Sequence, residues 1–194
     1  MTKASLRTLC DADRPRLLTW RASPQVSAFM YSDHQISAEE HDRWFNGIAG
    51  DNRRRFWVIE ADSVPVGLTN LADIDTVHGR ATIARYIADP VLRGRGVGGF
   101  AEFKVLDHAF SKLGLRKLWS EVLETNAVAW RLHMAHGFQR EALFRGHVVK
   151  NGQPVDVVGL GLLADEWRAI RPAARQRLID KGYAAETLDS PIPD

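Results

Sequence analysis

A β-type run, a glycine-rich turn and an amphipathic helix follow one another in the middle of the chain. The run covers residues 81–87 and ends at Asp89-Pro90, because proline cannot continue the pairing of a strand. Residues 93–99 then read Arg-Gly-Arg-Gly-Val-Gly-Gly. The apolar residues after the turn recur at the spacing of a helix: Phe100, Phe103, Leu106, Phe110 and Leu113. Any fold of this chain must therefore place a strand, a tight turn and a helix in succession here.

The turn at 93–99 suits an anionic ligand such as a diphosphate. A glycine-rich start of a helix offers several convergent N–H donors and the positive end of the helix dipole. Its glycines remove the side chains that would hold a phosphate away from the backbone: Gly94, Gly96, Gly98 and Gly99. Arg93 and Arg95 add positive charge. By itself the turn leaves a second interpretation open, a merely tight connection from strand to helix.

Two better-known phosphate loops do not fit these residues. A Walker loop requires Gly-Lys followed by Ser or Thr, and the sequence contains neither combination. A dinucleotide-binding Gly-x-Gly-x-x-Gly turn lies near the start of a parallel β-α-β unit. Here the two preceding β-type runs, 56–60 and 66–71, are joined by a short polar connection that is typical of antiparallel strands.

The rest of the pattern predicts one mixed α/β (α+β) domain that begins with helices. Residues 1–163 form this domain, and 164–194 form a helical extension with a Pro-rich tail. The first half of the chain is predicted to contain helices over 11–22 and from Ser37, then strands over 56–60, 66–71 and 81–87, and then the helix after Gly96. The second half is predicted to contain a strand over 118–123 and a helix that is capped by Asn126 and ends before Gly137. A hairpin over 138–163 around Asn151-Gly152 and a charged helix over 164–182 follow.

Composition and charge exclude several classes of protein. With 45% hydrophobic and 26% charged residues, the chain matches globular domains rather than disordered or fibrous ones. The net charge of +2 and the dispersed basic residues predict no nucleic-acid partner. No apolar run reaches the ~18 residues of a membrane span, and no signal peptide is apparent, so we expect a cytoplasmic protein with no membrane partner. The single cysteine, Cys10, is expected to be a buried apolar residue.

The turn and a downstream helix together resemble one protein family. Arg93-x-x-Gly96-x-Gly98 resembles the acyl-CoA diphosphate loop of the GNAT superfamily of N-acetyltransferases. Residues 126–138, Asn-Ala-Val-Ala-Trp-Arg-Leu-His-Met-Ala-His-Gly-Phe, are similar to the Asn-x-x-Ala-Ile-x-Leu-Tyr-x-x-x-Gly-Phe helix of that superfamily. The hairpin over 138–163 further resembles the ribosomal-protein-type branch.

The resemblance implies the GNAT fold, in which a mixed, mostly antiparallel sheet is flanked by helices and splayed at the acetyl-CoA site. Acetyl-CoA is then the cosubstrate. Backbone N–H groups of the strand before the turn would hold the thioester carbonyl and its oxyanion, and Asn126 would bind the pantetheine arm. The implied acetyl-CoA contacts are Tyr86, Ile87, Leu92, Arg93, Gly94, Arg95, Gly96, Val97, Gly98, Gly99 and Asn126.

A second resemblance concerns the acceptor. Residues 20–31, Trp-Arg-x-x-Pro-x-Val-x-x-Phe-Met-Tyr, and residues 36–41, Ile-Ser-x-x-Glu-His, closely resemble the N-acetyltransferases of pseudaminic-acid biosynthesis. This resemblance implies that the protein transfers acetyl to the 4-amino group of a UDP-linked 4-amino-4,6-dideoxy sugar. The implied partner is therefore a small molecule, a nucleotide sugar. The implied substrate contacts are Arg21, Met30, Tyr31, His41 and Trp44, with Arg21 and His41 on phosphate or uracil.

The sequence patterns leave the identity of the catalytic groups more open than that of the acetyl-CoA contacts. His133 stands where the family usually has the tyrosine that protonates the leaving thiolate, and it is either a general acid or a packing side chain. Glu121 or His41, reached through water, is the candidate general base, and Glu121 has the alternative of a solvated strand residue. His133 and His136 lie three apart on a helix, but no third ligand has comparable spacing, so we predict no metal site.

Three alternatives stay open at this level. The hairpin resemblance allows acetylation of a protein N-terminus instead of a sugar. The missing tyrosine at position 133 allows an acyl-CoA-binding module without turnover. The helix over 164–182 either packs on the domain surface or serves as a lid or an oligomer contact, such as that of a homodimer.

Overall fold

Seven β-strands form one mixed sheet within residues 3–193, the part of the chain that this computed structural model describes. The strand order is β1-β2-β3-β4-β5-β7-β6, and β4 and β5 form the parallel pair. This confirms the predicted α+β fold with a mostly antiparallel sheet. The strands are β1 (Ala4–Thr8), β2 (Arg55–Ala61), β3 (Val64–Asp75), β4 (Arg80–Ile87), β5 (Lys117–Leu123), β6 (Gln139–Lys150) and β7 (Gln153–Leu163).

Helices cover both faces of the sheet. A short 3-10 turn, Pro90–Leu92, follows β4, and the helix after the glycine-rich turn continues through a π-helical turn over His108–Lys112. The helices are α1 (Arg14–Ala22), α2 (Pro24–Ser27), α3 (Ala38–Ile48), α4 (Val97–Asp107), α5 (Ala127–Ala135), α6 (Ala164–Asp180) and α7 (Ala185–Asp189).

Local sequence signals account for most element boundaries. Ser37 begins α3, where its hydroxyl accepts the N–H of Glu40 at 3.1 Å. Gly137 has φ of 96° and ends α5, a backbone conformation that glycine adopts without strain. Asn151 and Gly152, with φ of 50° and 75°, form the tight turn between β6 and β7.

The two faces of the sheet differ in the size of their cores. We call one face the donor face, after the expected acetyl donor. On this face, residues such as Ile83, Leu118 and Phe100 join one large buried cluster under α4 to α7. On the opposite face, the acceptor face, the buried cluster consists of Leu17, Phe45, Val58 and Leu68, with half-buried aromatic residues around it. The acceptor face carries α1 to α3.

The start of the chain corrects two predictions. β1 precedes the first helix, so the prediction that the fold begins with helices is wrong. Ala4 and Leu6 alternate toward the donor-face core with exposed residues between them, and a run of five residues at an edge is too short to stand out in the sequence. Cys10 is exposed rather than buried, because it lies in the loop after this edge strand.

Residues 164–193 wrap around α4, and we call them the C-terminal strap. α6 and α7 both pack on α4, and the turn between them passes the start of α4, where Tyr183 stacks on Phe100. The buried ammonium of Lys104 in α4 donates to the carbonyls of Thr187 at 2.8 Å and Leu188 at 3.0 Å, and to that of Ser190. The extension is therefore part of the donor-face core.

Candidate active site

The sheet opens between its two parallel strands. β4 and β5 pair only over their first residues, 80–82 with 117–119. β4 continues to Ile87 and β5 to Leu123, so the second half of each strand borders a gap. The predicted splay of the sheet is confirmed.

Strand alternation decides which backbone donors face this gap. The N–H of Ala88 bonds to the carbonyl of Val66 in β3 at 2.8 Å. Because successive residues of a strand direct their N–H groups to opposite edges, the N–H of Ile87 faces the gap and that of Tyr86 faces β3. The predicted backbone contact to a thioester thus fits Ile87, whereas the one assigned to Tyr86 is corrected.

The glycine-rich turn ends at the mouth of the gap. Gly94 and Gly96 have φ of 79° and 87°, a region that favours glycine. Gly96 precedes α4, and its carbonyl accepts the N–H of Phe100 at 2.8 Å. The first turn of a helix leaves its N–H groups without partners inside the helix; here they belong to Val97, Gly98 and Gly99.

Three side chains in and beside the turn differ in what they contact. The Arg93 guanidinium donates to the Gln25 carbonyl at 3.0 Å and so ties the turn to α2. Arg95 is exposed and makes no side-chain hydrogen bond or ion pair within residues 3–193. Leu92 packs half-buried on the donor-face core. The turn therefore presents backbone donors and one free cation to solvent.

A buried ionic cluster lies beneath the turn. Arg85 of β4 pairs with Glu102 of α4 at 2.9 Å, and His133 Nδ1 of α5 lies 2.7 Å from the other oxygen of that carboxyl group. His136 Nδ1 stands 3.8 Å from Glu102. Burial acts to raise the pKa of Glu102, but the charge of Arg85 and the hydrogen bond from His133 outweigh it and hold the pKa far below its usual range. A charged carboxylate therefore links β4, α4 and α5.

The contacts of His133 weigh against the predicted general acid. Burial lowers the pKa of His133 and outweighs the effect of Glu102, so the ring is neutral at pH 7. Its one proton is then on Nδ1, which donates to the ionised Glu102. Nε2 lies 3.4 Å from the Arg85 guanidinium and is placed to accept rather than to donate. The geometry favours the packing alternative for His133.

Asn126 stands at the start of α5, where the predicted pantetheine contact would lie. Its Oδ1 accepts the N–H of Ala129 at 3.3 Å, so the side chain caps the helix. The side-chain Nδ2 of Asn126 makes no hydrogen bond within residues 3–193 and is left for a ligand. The two roles are compatible, and the contact to pantetheine stays a prediction.

Glu121 and Tyr31 meet on the acceptor face beside the gap. Glu121 lies in the second half of β5, and the Tyr31 hydroxyl donates to its Oε2 at 2.8 Å. Burial, followed by this hydrogen bond, raises the pKa of Tyr31, so its hydroxyl remains a donor. The pairing brings a predicted base and a predicted substrate contact together, and it gives the carboxylate a fixed direction.

Residues 27–33 form a loop, the acceptor loop, that Lys150 holds in place. The Lys150 ammonium at the end of β6 donates to the carbonyls of Ser27 at 3.1 Å, Met30 at 2.8 Å and Ser32 at 3.3 Å. It also pairs with Asp33. One buried cation therefore fixes the loop that positions Tyr31.

A cavity of about 260 Å³ opens next to this loop. Its lining includes Arg21 and Met30, two of the predicted substrate contacts. The Nε of Arg21 is buried and has no hydrogen-bond partner within residues 3–193, and the same is true of the Tyr86 hydroxyl. Donors of this kind usually find partners in folded proteins, and of the two residues only Arg21 also lines the cavity.

His41 and Trp44 do not line this cavity, which corrects their assignment as substrate contacts. His41 is 4% exposed, and its Nε2 bonds to the Arg14 carbonyl at 2.8 Å. Its ring stacks on Trp44 with centroids 5.4 Å apart, and Trp44 in turn meets Phe56 edge-on. Both residues serve the packing of α3 against α1 and β2, and His41 is likewise no base at the gap.

Residues 3–193 contain neither a metal-binding cluster nor a membrane-spanning helix. No three His, Cys, Asp or Glu side chains in this range are arranged to hold a metal ion. In that same range, none of the helices combines the length and the apolar character that crossing a membrane requires.

Sequence reasoning missed the charged groups that support the site. Glu102 and Lys104 lie inside a helix whose other residues are mostly apolar and buried, and such interior charges are a usable signal because they require partners. Arg85 and Lys150 gave no comparable signal, since each follows the alternation of an ordinary strand.

Known relatives support the same fold and chemistry. The chain is 27% identical over 171 residues to spermidine N(1)-acetyltransferase of Vibrio cholerae, covering 86% of this chain and 96% of the relative. It is 25% identical over 122 residues to acetyltransferase PseH of Campylobacter jejuni, covering 63% of this chain and 74% of that protein. The structure of the Vibrio cholerae spermidine N-acetyltransferase with CoA and spermine superposes on this chain with a TM-score of 0.79. The superposition covers 85% of this chain and 98% of that one at 24% identity, and it shows that the two proteins share a fold.

The sequence model of the acetyltransferase (GNAT) domain matches residues 4–139, about two thirds of the chain. This match confirms the predicted fold, the predicted N-acetyltransferase class and acetyl-CoA as the cosubstrate of that class. The name of one relative gives spermidine as its acceptor and the name of the other gives none, so the acceptor of this chain is a separate question. The chain belongs to the GNAT family of acetyltransferases.

Proposed function

We propose that this enzyme acetylates the 4-amino group of a UDP-linked 4-amino-4,6-dideoxy sugar, UDP-4-amino-4,6-dideoxy-N-acetyl-β-L-altrosamine, on the route to pseudaminic acid for flagellin or surface glycosylation. The observation that carries the proposal is Arg21, whose buried Nε lacks a partner within residues 3–193 at the wall of the acceptor cavity. A guanidinium is the side chain best suited to a nucleotide diphosphate. A cytoplasmic location belongs to the same proposal.

The chain's own residues would divide the reaction as follows. Glu121, oriented by Tyr31, accepts the proton that the acceptor amine must lose before it attacks the thioester carbon. The N–H of Ile87 donates to the carbonyl oxygen as that oxygen becomes negative. The new C–N bond forms, the C–S bond breaks, and the second proton that the amine nitrogen must lose passes through water to the departing thiolate. Glu102 acts indirectly by fixing Arg85 and α5 beneath the turn.

A polyamine is the second candidate acceptor, and Glu121 is the observation that favours it. A carboxylate at the gap attracts a cationic amine, and one relative is a spermidine acetyltransferase. Arg21 opposes this alternative, because a guanidinium in the cavity repels a polyamine of like charge. The sugar nucleotide therefore fits the pair of charges better than spermidine does.

The test is CoA release from acetyl-CoA with three amines: the UDP-amino-sugar, spermidine and a peptide with a free N-terminus. We expect the UDP-amino-sugar to give the highest kcat/KM. Arg21→Gln should raise its KM about tenfold, the loss of one charge-assisted contact, and should leave the KM for spermidine equal or lower. Arg16→Gln, an exposed arginine on the same helix α1, is the matched control.

Each of the other results would overturn the assignment in a distinct way. A preference for spermidine that Arg21→Gln leaves unchanged would make the protein a polyamine acetyltransferase. Turnover with the peptide alone would indicate an N-terminal acetyltransferase. Tight CoA binding without release from any amine would indicate a non-catalytic acyl-CoA-binding module.

A further inference from the structure

The C-terminal strap crosses the start of α4 at the glycine-rich turn. A Cβ placed on Gly96 would lie 3.2 Å from Lys181 Cδ and 3.3 Å from the Tyr183 ring. Leu178, at the end of α6, packs toward Gly99 in the same way. A side chain at position 96 would therefore touch the strap, which runs beside the first N–H groups of α4 although it is about eighty residues away in sequence.

Lys181 is distinguished by its lack of a partner. The strap carries five cationic side chains, and within residues 3–193 four of them are engaged: Arg168 with Asp165, Arg171 with Asp107, Arg175 with Asp189, and Arg177 with the Ala135 carbonyl. The exposed ammonium of Lys181 makes no hydrogen bond or ion pair in that range. Together with Arg95, it leaves two free cations beside the open N–H groups of α4.

Tyr183 provides an independent sign of a ligand at the same place. Its ring stacks on Phe100 with centroids 5.0 Å apart, and the residue is 6% exposed. Its hydroxyl would lie 3.6 Å from a Cβ on Gly96 and has no hydrogen-bond partner within residues 3–193. A buried hydroxyl normally has an acceptor, and this one lies beside Gly96 at the start of α4.

We propose that the strap completes the acetyl-CoA site, with the Lys181 ammonium bound to a phosphate group of CoA and the Tyr183 hydroxyl donating to the diphosphate held by the turn. The cation adds to the helix dipole and the backbone donors of α4. The helix over 164–182 packs on the domain, which was one of the alternatives left open by the sequence, and the strap that contains it becomes a fixed wall of the cofactor site. The inference depends on the acetyl-CoA use assigned above.

Lys181→Gln tests the cation. We expect the Kd for CoA to rise about five- to tenfold, with a smaller difference at high salt because the contact is electrostatic. The KM for acetyl-pantetheine, which has no phosphate, should not change, and neither should kcat at saturating acetyl-CoA. Arg168→Gln, at the far end of α6 and also exposed, is the matched control and should bind CoA like the parent.

3′-Dephospho-CoA separates the two phosphate groups that Lys181 would contact. A loss that persists with this analogue assigns Lys181 to the diphosphate, and a loss that disappears assigns it to the 3′-phosphate. The proposal is overturned if Lys181→Gln binds CoA within twofold of the parent, or if it weakens acetyl-pantetheine equally. Failure of the parent to bind CoA would instead remove the proposed function itself.

Tyr183→Phe tests the hydroxyl alone, because it keeps the ring on Phe100. Removing an unpartnered buried hydroxyl should leave the Tm of the free enzyme equal or raise it. The increase of Tm that saturating CoA produces should be smaller than in the parent. An equal increase in both proteins would show that the hydroxyl has no ligand contact.

Discussion

The donor face and the acceptor face of the sheet are built in different ways. The donor face rests on one large apolar core that includes α4 and the C-terminal strap, and its charged groups are paired inside that core. The acceptor face has a small core, and its loop is held by the polar contacts of Lys150 to carbonyl groups. The gap between β4 and β5 connects the two faces.

The two faces therefore differ in how they would recognise a ligand, the donor face through backbone groups and the acceptor face through side chains. The donor face is rigid and general, since a diphosphate is recognised by backbone donors that many sequences provide. The acceptor face depends on a few side chains, namely Arg21, Tyr31 and Glu121, placed by a loop that can change without loss of the main core. A change on one face should therefore leave the function of the other intact, and single substitutions on each face test that separation.

Gly96→Asp should have the largest effect. The residue has φ of 87° and contacts Lys181 and Tyr183, so an aspartate meets backbone strain of ~1–3 kcal/mol and brings its charge to the diphosphate. We expect the Kd for acetyl-CoA to rise at least about 300-fold, or ~3.4 kcal/mol, by calorimetric titration. The Kd for the acceptor should stay within a few-fold of the parent.

Gly50→Asp is the control for strain alone. Gly50 has φ of 79°, with open space around it and no contact to the turn. This variant should lose some stability and no affinity for acetyl-CoA. If Gly96→Asp bound acetyl-CoA as well as the parent does, the glycine-rich turn would not be the diphosphate site.

Glu121→Gln should have a smaller effect, confined to the acceptor face. Removing a general base typically lowers the rate by ~100-fold or more, so we expect kcat/KM for the amine to fall about 100-fold with the Kd for acetyl-CoA unchanged. Steady-state kinetics and titration of acetyl-CoA measure the two quantities. Glu124→Gln, an exposed neighbour beyond the end of β5, should leave both unchanged. Equal losses in both quantities would contradict the independence of the two faces.

His133→Gln should have the smallest effect, and it acts on stability. The pKa of His133 is lowered in the folded state, so between that value and the ordinary ~6.5 the unfolded chain binds more protons, and stability falls as the pH falls through this window. The slope is at most about 1.4 kcal/mol per pH unit. In the His133→Gln variant this part of the slope should be absent, as measured by urea unfolding at a series of pH values.

His34→Gln is the histidine control, because His34 is exposed and pairs with Glu40 at the surface. It should keep the part of the acid dependence that His133 contributes. Turnover of His133→Gln should stay within about threefold of the parent. A fall of kcat by about 100-fold with a changed pH profile would restore His133 as the general acid.

The sequence predicted the donor face better than the acceptor face, for a physical reason. The strand, the turn and α4 are local, and each follows from glycine positions and apolar spacing within residues 81–113. The contact of Tyr31 with Glu121 joins residues ninety positions apart, and no local pattern reports it. His41 illustrates the limit, because the motif that contains it is present while its ring is turned into the packing of α3.

The errors in the catalytic assignments have a similar origin. His133 aligned with a tyrosine by its position on α5, but its role depends on Glu102 and Arg85, which come from other elements. Burial and pairing set the protonation of an imidazole, and neither is visible in a linear motif. β1 was missed because five residues at the sheet edge carry too little pattern.

Lys104 also has a consequence for the order of events during biosynthesis. Its ammonium lies in the middle of α4, yet its acceptors are carbonyls that emerge from the ribosome more than eighty residues later. A nascent chain that lacks residues 187–190 therefore holds an uncompensated charge where its core must close, and an isolated buried charge is strongly unfavourable. The donor face would mature only after that last segment is synthesised, which delays a working enzyme until translation of the strap is complete.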